Sequence, residues 1–265
     1  MIPISDTPYP SDRRPYVTWG LLALLVVAQL VYLGESEADR SDRFVRHSAI
    51  PCELSRWEPL TMIEHGRLIH GTSDSCDDDT DSVLDLELAA SDAADEPYAT
   101  DKHIWVSALA SLVFHAGWLH LILNGWALWI FGDNVELRIG RIGFVALFVA
   151  AGLGGLVAHT LVYPASMVPL VGASGGIAGL MGAYVILFPE NDVILYVQFR
   201  RVPYPAVSFV MLWALLQGLI AYTDETVGWA AHLGGLLIGA LGGVLARLWW
   251  RWSPRHRLGP SASPV

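Results

Sequence analysis

The sequence predicts an all-α polytopic membrane protein: six transmembrane helices, with an acidic insert between the first and the second. Three observations carry this expectation. Of the 265 residues, 53% are hydrophobic and only 16% charged, with a mean hydropathy of +0.43. The apolar residues fall in runs long enough to cross a bilayer core of about 30 Å, which takes about 20 helical residues. The acidic residues are concentrated elsewhere. Residues 35–101 hold 18 of the 26 Asp and Glu but 5 of the 16 Lys and Arg, a net of −13 in a chain whose formal charge is −10. The other 198 residues carry 8 acids and 11 bases, so the body is mildly basic. Such a chain is no ordinary soluble domain, and without a basic face it is no nucleic-acid binder.

Taken in order, residues 1–15 are expected to form a cytoplasmic tail and Tyr16–Gly34 the first span. No small-x-small cleavage site follows that span, so it reads as a retained anchor rather than a signal peptide. Residues 35–102 form the acidic extracytoplasmic insert. The core, residues 103–250, holds spans at Ile104–Phe131, Ile142–Val162, Val171–Phe188, Pro205–Tyr222 and Trp229–Trp250, and residues 251–265 form a second cytoplasmic tail. Pro189, Pro203 and Pro205, with Glu190, Asp192, Arg200 and Arg201, interrupt the core where a loop is expected.

Basic residues beside the spans set the orientation. Arg13 and Arg14, Arg138 and Arg141, Arg200 and Arg201, and Arg247, Arg251, Arg255 and Arg257 fall on one side of a six-span body, which is then cytoplasmic. The opposite side receives the insert and the Tyr163–Pro169 and Thr223–Gly228 loops; those two loops carry no Lys or Arg. A bacterial plasma (inner) membrane is the expected location. Trp249, Trp250 and Trp252 stand where an interfacial aromatic belt is expected. The two cysteines, Cys52 and Cys76, both lie in the insert. They are either unrelated thiols or a disulfide closing a loop, a bridge that contributes about 3 kcal/mol.

Polar residues inside apolar spans are costly, so they are the first candidates for function. The fourth span opens with Gly172-Ala173-Ser174-Gly175. A serine there is commonly a packing residue, but at a helix start it sits beside backbone N–H groups that suit a developing oxyanion. The sixth span carries Ala231-His232, then Gly235, Gly239 and Gly243. His232 by itself reads as a helix–helix hydrogen bond. It shares the depth of Ser174, however, and both spans bear small-residue stripes that let backbones approach. Ser174 and His232 then form a nucleophile and general base, a dyad, since no acid stands as a third member. In the second span, His120 and Asn124 lie within about 40° on one helix face, two donors for an oxyanion. His115 is about 140° from His120, so one helix does not present a two-histidine set. No metal or cofactor is expected. His159, alone in the third span, reads as structural.

Together His115-x4-His120-x3-Asn124, Gly172-Ala173-Ser174-Gly175 and Ala231-His232-x2-Gly235-x3-Gly239 resemble the rhomboid intramembrane serine proteases. The stretch Trp129–Gly140 also resembles the segment after the second span in bacterial members, and the likeness covers about residues 103–245. The resemblance implies a six-span core with an inside N-terminus, Ser174 as nucleophile and His232 as base. It further implies an oxyanion held by His120, Asn124 and the Ser174 backbone N–H, with His115 in support near a water-filled cavity. Glu136 and Arg138 match residues that organise the first loop and the inner end. The implied substrates are single-span membrane proteins, cut in or near the transmembrane helix after a small residue, through an acyl-enzyme. Two positions depart from the family pattern. Val106 follows Trp105 where an arginine is frequent, and Ala178 stands where an aromatic often stacks on the catalytic histidine; Tyr184 is too far along to replace it. Two other readings stand beside this one. A catalytically silent relative that binds membrane clients usually lacks the Ser or the His, and both are present here. A small transporter would show an inverted repeat, and none is visible.

Overall fold

The fold comes from a computed structural model, which describes residues 2–7, 14–34, 36–77, 94–223 and 228–252. Expectations for Arg13, Arg255 and Arg257, for the acidic run beyond Asp77 and for residues 224–227 lie outside these, as do the side chains of Arg251 and Trp252. The described chain is mostly helical: α1 (Tyr16–Leu33), α2 (Glu37–His47), α3 (Pro51–Arg56), α4 (Met62–His70), α5 (Ile104–Ala110), α6 (Trp118–Val162), α7 (Ser174–Leu187), α8 (Ala206–Thr223) and α9 (Trp229–Trp252).

Three helices are long and apolar enough to cross a membrane among the described residues: α1, α6 and, over Trp229–Trp250, α9. Two more, α7 and the Ala206–Leu219 part of α8, are apolar but shorter. At 1.5 Å per residue, the 45 residues of α6 would run to about 68 Å, twice a bilayer core. The helix is broken at Gly140, whose φ of 79° lies in the left-handed region that favours glycine. Its two limbs, residues 118–139 and 141–162, are each about one bilayer long. Large apolar side chains face outward along these helices, among them Val27, Leu119, Ile142, Leu161, Leu215, Leu237 and Leu241. Water would penalise such a surface, and lipid does not.

Three sequence expectations change. The span expected over 104–131 is interrupted: α5 ends at Ala110, and helix resumes only at Trp118. Its carbonyl at Ser111 accepts a hydrogen bond from the Gly172 N–H at 2.8 Å, so the intervening turn is held by the loop before α7. The fourth span is shorter than expected, 14 helical residues from Ser174, because Gly172 at φ 118° keeps the chain in loop conformation until that point. Finally, the chain is not all-α. The expected N-terminal tail and the proline-rich loop form an antiparallel sheet in the order β1 (Ile2–Thr7), β2 (Asp192–Val197), β3 (Arg200–Pro205). The β2–β3 turn uses Gln198 and Phe199 at φ of 46° and 65°, a primed-turn geometry without the Asn-Gly signal that betrays it in sequence. Pro203 and Pro205 are tolerated because β3 is an edge strand.

The bundle end away from Ser174 is tied by buried polar groups. The Glu136 carboxylate accepts from the Val17 and Thr18 N–H groups at 3.0 and 2.7 Å and from the Thr18 hydroxyl at 2.8 Å. It caps the first turn of α1 from another helix, because Pro15 offers no side-chain cap. The described side-chain bonds of Glu136 go to α1 and not to the insert. Arg138 lies 4.3 Å over the Trp250 ring. Asp6 of β1 accepts from Tyr184 and Asn134.

At the other end, the insert is built into the bundle. Cys52 and Cys76 are disulfide-bonded, with Cα atoms 6.5 Å apart. The Cys52 and Cys76 N–H groups donate to Ser166 and Ala165, both at 2.9 Å, and Ala49 and Leu170 exchange backbone bonds at 3.1 and 2.8 Å. The insert therefore runs beside the loop that leads into α7. Within it, Glu53 and Lys102 form a buried ion pair; burial pushes the carboxylate up and the ammonium down while their mutual attraction opposes both shifts. His65 stacks on Tyr98 with ring centroids 3.3 Å apart, and burial pushes its pKa from 6.5 down to about 4.

Because that folded value lies below the unfolded one, the unfolded chain binds the proton more readily between pH 6.5 and about 4. The His65 contribution is present above this window and is lost as pH falls through it, by up to about 1.4 kcal/mol per unit. Hydrogen-exchange protection factors of the insert amides, which are corrected for the intrinsic pH dependence of exchange, should fall between pH 7 and pH 4.5. His65→Phe, which keeps the stack, should reduce that fall.

Candidate active site

Three helices bring together the residues that stand out in the sequence. Ser174 is the first residue of α7, so its own N–H and those of the next residues have no intrahelical acceptor. His232 lies in the first turn of α9. Their side chains meet: Ser174 Oγ and His232 Nε2 are 2.8 Å apart. The approach depends on glycine. A Cβ on Gly235 would lie 2.1 Å from the Gly175 carbonyl oxygen, and one on Gly239 only 1.8 Å from that of Gly179. A Cβ on Gly243 would meet the Ala183 backbone at 3.1 Å. The α7 and α9 backbones are therefore in direct contact along the two stripes. The second limb of α6 closes the third side, where a Cβ on Gly155 would lie 2.4 Å from the Ala231 carbonyl oxygen.

His120 packs edge-on to the loop. A Cβ on Gly172 would lie 2.7 Å from its ring, a second reason for glycine there. Asn124, buried one turn later, donates from Nδ2 to the His120 carbonyl at 3.0 Å, which leaves one amide proton unused by that bond. His115 is fully buried; its Nδ1 faces the Val113 carbonyl at 3.0 Å, and its Nε2 accepts from the Ala173 N–H at 3.5 Å. It braces the residue before Ser174 and does not line the cavity. Trp105 and Val106 are exposed on α5. Tyr184 is at the far end of α7, bonded to Asp6.

Ser174, His232, His120, Gly172 and Gly175 line a cavity of about 380 Å³. Phe44 of α2 forms part of its wall, a contribution that composition alone does not reveal. A larger hollow of about 730 Å³, between Trp57, Trp105 and Val157, contains no titratable side chain among its lining residues and so offers no acid–base chemistry. The geometry missed in the sequence is on α8. Gln217 Oε1 lies 2.7 Å from His232 Nδ1, and the Trp213 ring is 5.8 Å from the imidazole. A lone amide in an apolar helix was the available signal. Cys52, Cys76 and Glu64 also cluster, but with both sulfurs in the disulfide they are not a thiolate ligand set.

Rhomboid domain is the family that matches residues 102–248, more than half of the chain. The chain belongs to the rhomboid family. This rhomboid is 32% identical over 154 residues to Rhomboid protein 1, mitochondrial, of Saccharomyces cerevisiae, covering 55% of this chain and 42% of that protein. It is 31% identical over 135 residues to Rhomboid protease GluP of Bacillus subtilis, covering 51% and 25%. To Rhomboid protease AarA of Providencia stuartii it is 29% identical over 159 residues, covering 52% and 54%. The chain thus spans well under two thirds of each of these relatives. Relatives named as mitochondrial and chloroplastic occur beside bacterial ones, so the likeness fixes a membrane-embedded family and not a compartment.

Because the α7–α9 contact has no room for a methyl group, Gly239→Ala should push the helices apart and cost about 1–3 kcal/mol. Thermal unfolding in detergent measures this. Gly20→Ala, which faces open space, is the neutral control.

Proposed function

We propose that this rhomboid is an intramembrane serine endopeptidase that cleaves transmembrane segments of single-span membrane proteins through a Ser174–His232 dyad. One observation carries the reading: the 2.8 Å contact between Ser174 Oγ and His232 Nε2 at the wall of a cavity. The imidazole takes the Ser174 proton as Oγ attacks the scissile carbonyl, and it returns that proton to the leaving amine as the tetrahedral species collapses to an acyl-enzyme. A water entering the cavity repeats the cycle, with His232 again as base, and releases the carboxylate product. The oxyanion faces the Ser174 N–H at the positive end of α7, His120 and the free amide proton of Asn124. Gly152, Ala231 and Gly228 in the cavity wall leave room for a small residue at the cut.

The proposed topology has six crossings, with the two limbs of α6 counted separately and α7 and α8 as the fourth and fifth. Two features support it. The insert and the 163–171 loop are bonded to each other at the Ser174 end, while Arg138, Arg141 and Arg247 lie near the opposite helix ends, against Trp250, Tyr16 and the Ile186 carbonyl. By the positive-inside pattern the arginine end is cytoplasmic, with residues 1–15 and 251–265, and residues 35–102 are extracytoplasmic. A bacterial plasma membrane fits this arrangement. With only 14 residues, about 21 Å, α7 starts below the outer surface, so water reaches Ser174 from the insert side.

Ser174→Ala and His232→Ala should each lower cleavage of a single-span substrate by about 1,000-fold or more while leaving the fold intact. A fluorophosphonate probe should label the wild type at Ser174 in membranes and leave Ser174→Ala unlabelled. Full cleavage by Ser174→Ala would overturn the reading.

A further inference from the structure

A serine and a histidine in contact do not by themselves make a base. A neutral imidazole carries one ring proton, and the pair has two arrangements of equal hydrogen-bond count. With the proton on Nδ1, Nε2 accepts from the Ser174 hydroxyl and is ready to remove its proton. With the proton on Nε2, the imidazole donates to Oγ and cannot act as base toward it. The serine hydroxyl rotates and suits either. What decides is the group at Nδ1.

That group is Gln217 Oε1, at 2.7 Å from Nδ1. Gln217 is the middle-of-helix exception in α8: Leu212, Leu215, Leu216 and Leu219 are 45–69% exposed on the outside, whereas Gln217 is 5% exposed and turned inward. One turn earlier, Trp213 lies on the same helix face and brings its ring to 5.8 Å from the imidazole. Burying an amide in an apolar helix is unfavourable unless it is bonded, and the bond it makes is to His232. A carbonyl oxygen accepts and never donates, so it selects the Nδ1–H tautomer. Its dipole also favours the imidazolium formed once Nε2 has taken the serine proton. Ala178, one turn after Ser174 on α7, has only a methyl group and offers no hydrogen bond.

We propose that Gln217 is the positioning residue for His232: its side-chain carbonyl holds the imidazole in the tautomer and orientation that leave Nε2 free to accept the Ser174 proton. This rests on the protease reading above. It makes the working unit an amide–imidazole–hydroxyl set drawn from three helices, α8, α9 and α7, with the Trp213 ring beside the imidazole. The titratable groups that act on His232 from the two limbs of α6 are His120 and His159; Ser174, Trp213 and Gln217 complete its surroundings.

The test is steady-state cleavage of a single-span substrate across pH by the full chain carrying Gln217→Leu or Gln217→Glu, with Ser174→Ala alongside. Gln217→Leu should lower kcat by about 10- to 100-fold, the size expected for losing one hydrogen bond to a group that becomes charged, with KM unchanged within about twofold. Gln217→Glu keeps an acceptor at Nδ1 and adds negative charge, so kcat should be largely retained. Its acidic limb should move to higher pH, because the carboxylate favours the protonated imidazole while His120 and His159 are unaltered. A wild-type kcat in Gln217→Leu overturns the proposal. If Gln217→Leu does not fold, the pH profile decides: an unmoved acidic limb in Gln217→Glu also overturns it. Cleavage by Ser174→Ala would instead overturn the protease reading, whatever the Gln217 variants do.

Discussion

Everything at the candidate active site depends on a backbone-to-backbone contact between two helices. In lipid there is no hydrophobic force to press apolar helices together, so close packing and polar contacts must hold them. The α7–α9 pair packs glycine against carbonyl: Gly235 on Gly175 and Gly239 on Gly179, at distances where no side chain fits. That closeness brings a short side chain, serine, within hydrogen-bond reach of an imidazole on the neighbouring helix. Were the axes separated by the width of a leucine layer, the same two residues would each be an isolated polar group in an apolar bundle, and an expensive one.

The rest of the molecule braces this contact. At the end away from Ser174, Glu136 caps α1 across the interhelical gap, and Asp6 of a small sheet ties β1 to Asn134 and Tyr184. At the Ser174 end, the disulfide-closed insert bonds to the 163–171 loop, and Ser111 and His115 hold Gly172 and Ala173, the two residues before the serine. The acidic segment, which by charge alone looks like a separate appendage, is therefore part of the wall of the cavity through Phe44. Its charge and its structural role are different properties of one segment.

How much of this was legible depended on whether the information lay in local spacing. The glycine stripe of α9 is visible as a four-residue repeat, and the apolar runs are visible as lengths, because both are properties of consecutive residues. The sheet was not legible, since β1 and β2 are far apart in sequence and the β2–β3 turn uses Gln198 and Phe199 in place of a glycine. The break at residues 111–117 was hidden because the bond that holds it, from the Gly172 N–H to the Ser111 carbonyl, comes from a loop distant in sequence. Gln217 escaped because only its rotational position in α8 distinguishes it from a solitary polar residue facing a neighbour or lipid.

By itself the sequence determined the medium and the parts: an apolar, mildly basic body, an acidic segment with the two cysteines, and motif residues resembling one family of membrane proteins. These follow from composition and short-range periodicity, which no packing arrangement alters. Only the tertiary structure decided which nitrogen of His232 faces Ser174, that an amide from α8 faces the other, and that the insert helps to wall the cavity. Those are matters of a few tenths of an ångström between helices distant in sequence. They are set by how closely the backbones pack, and the spacing of residues along one helix does not encode the position of the next.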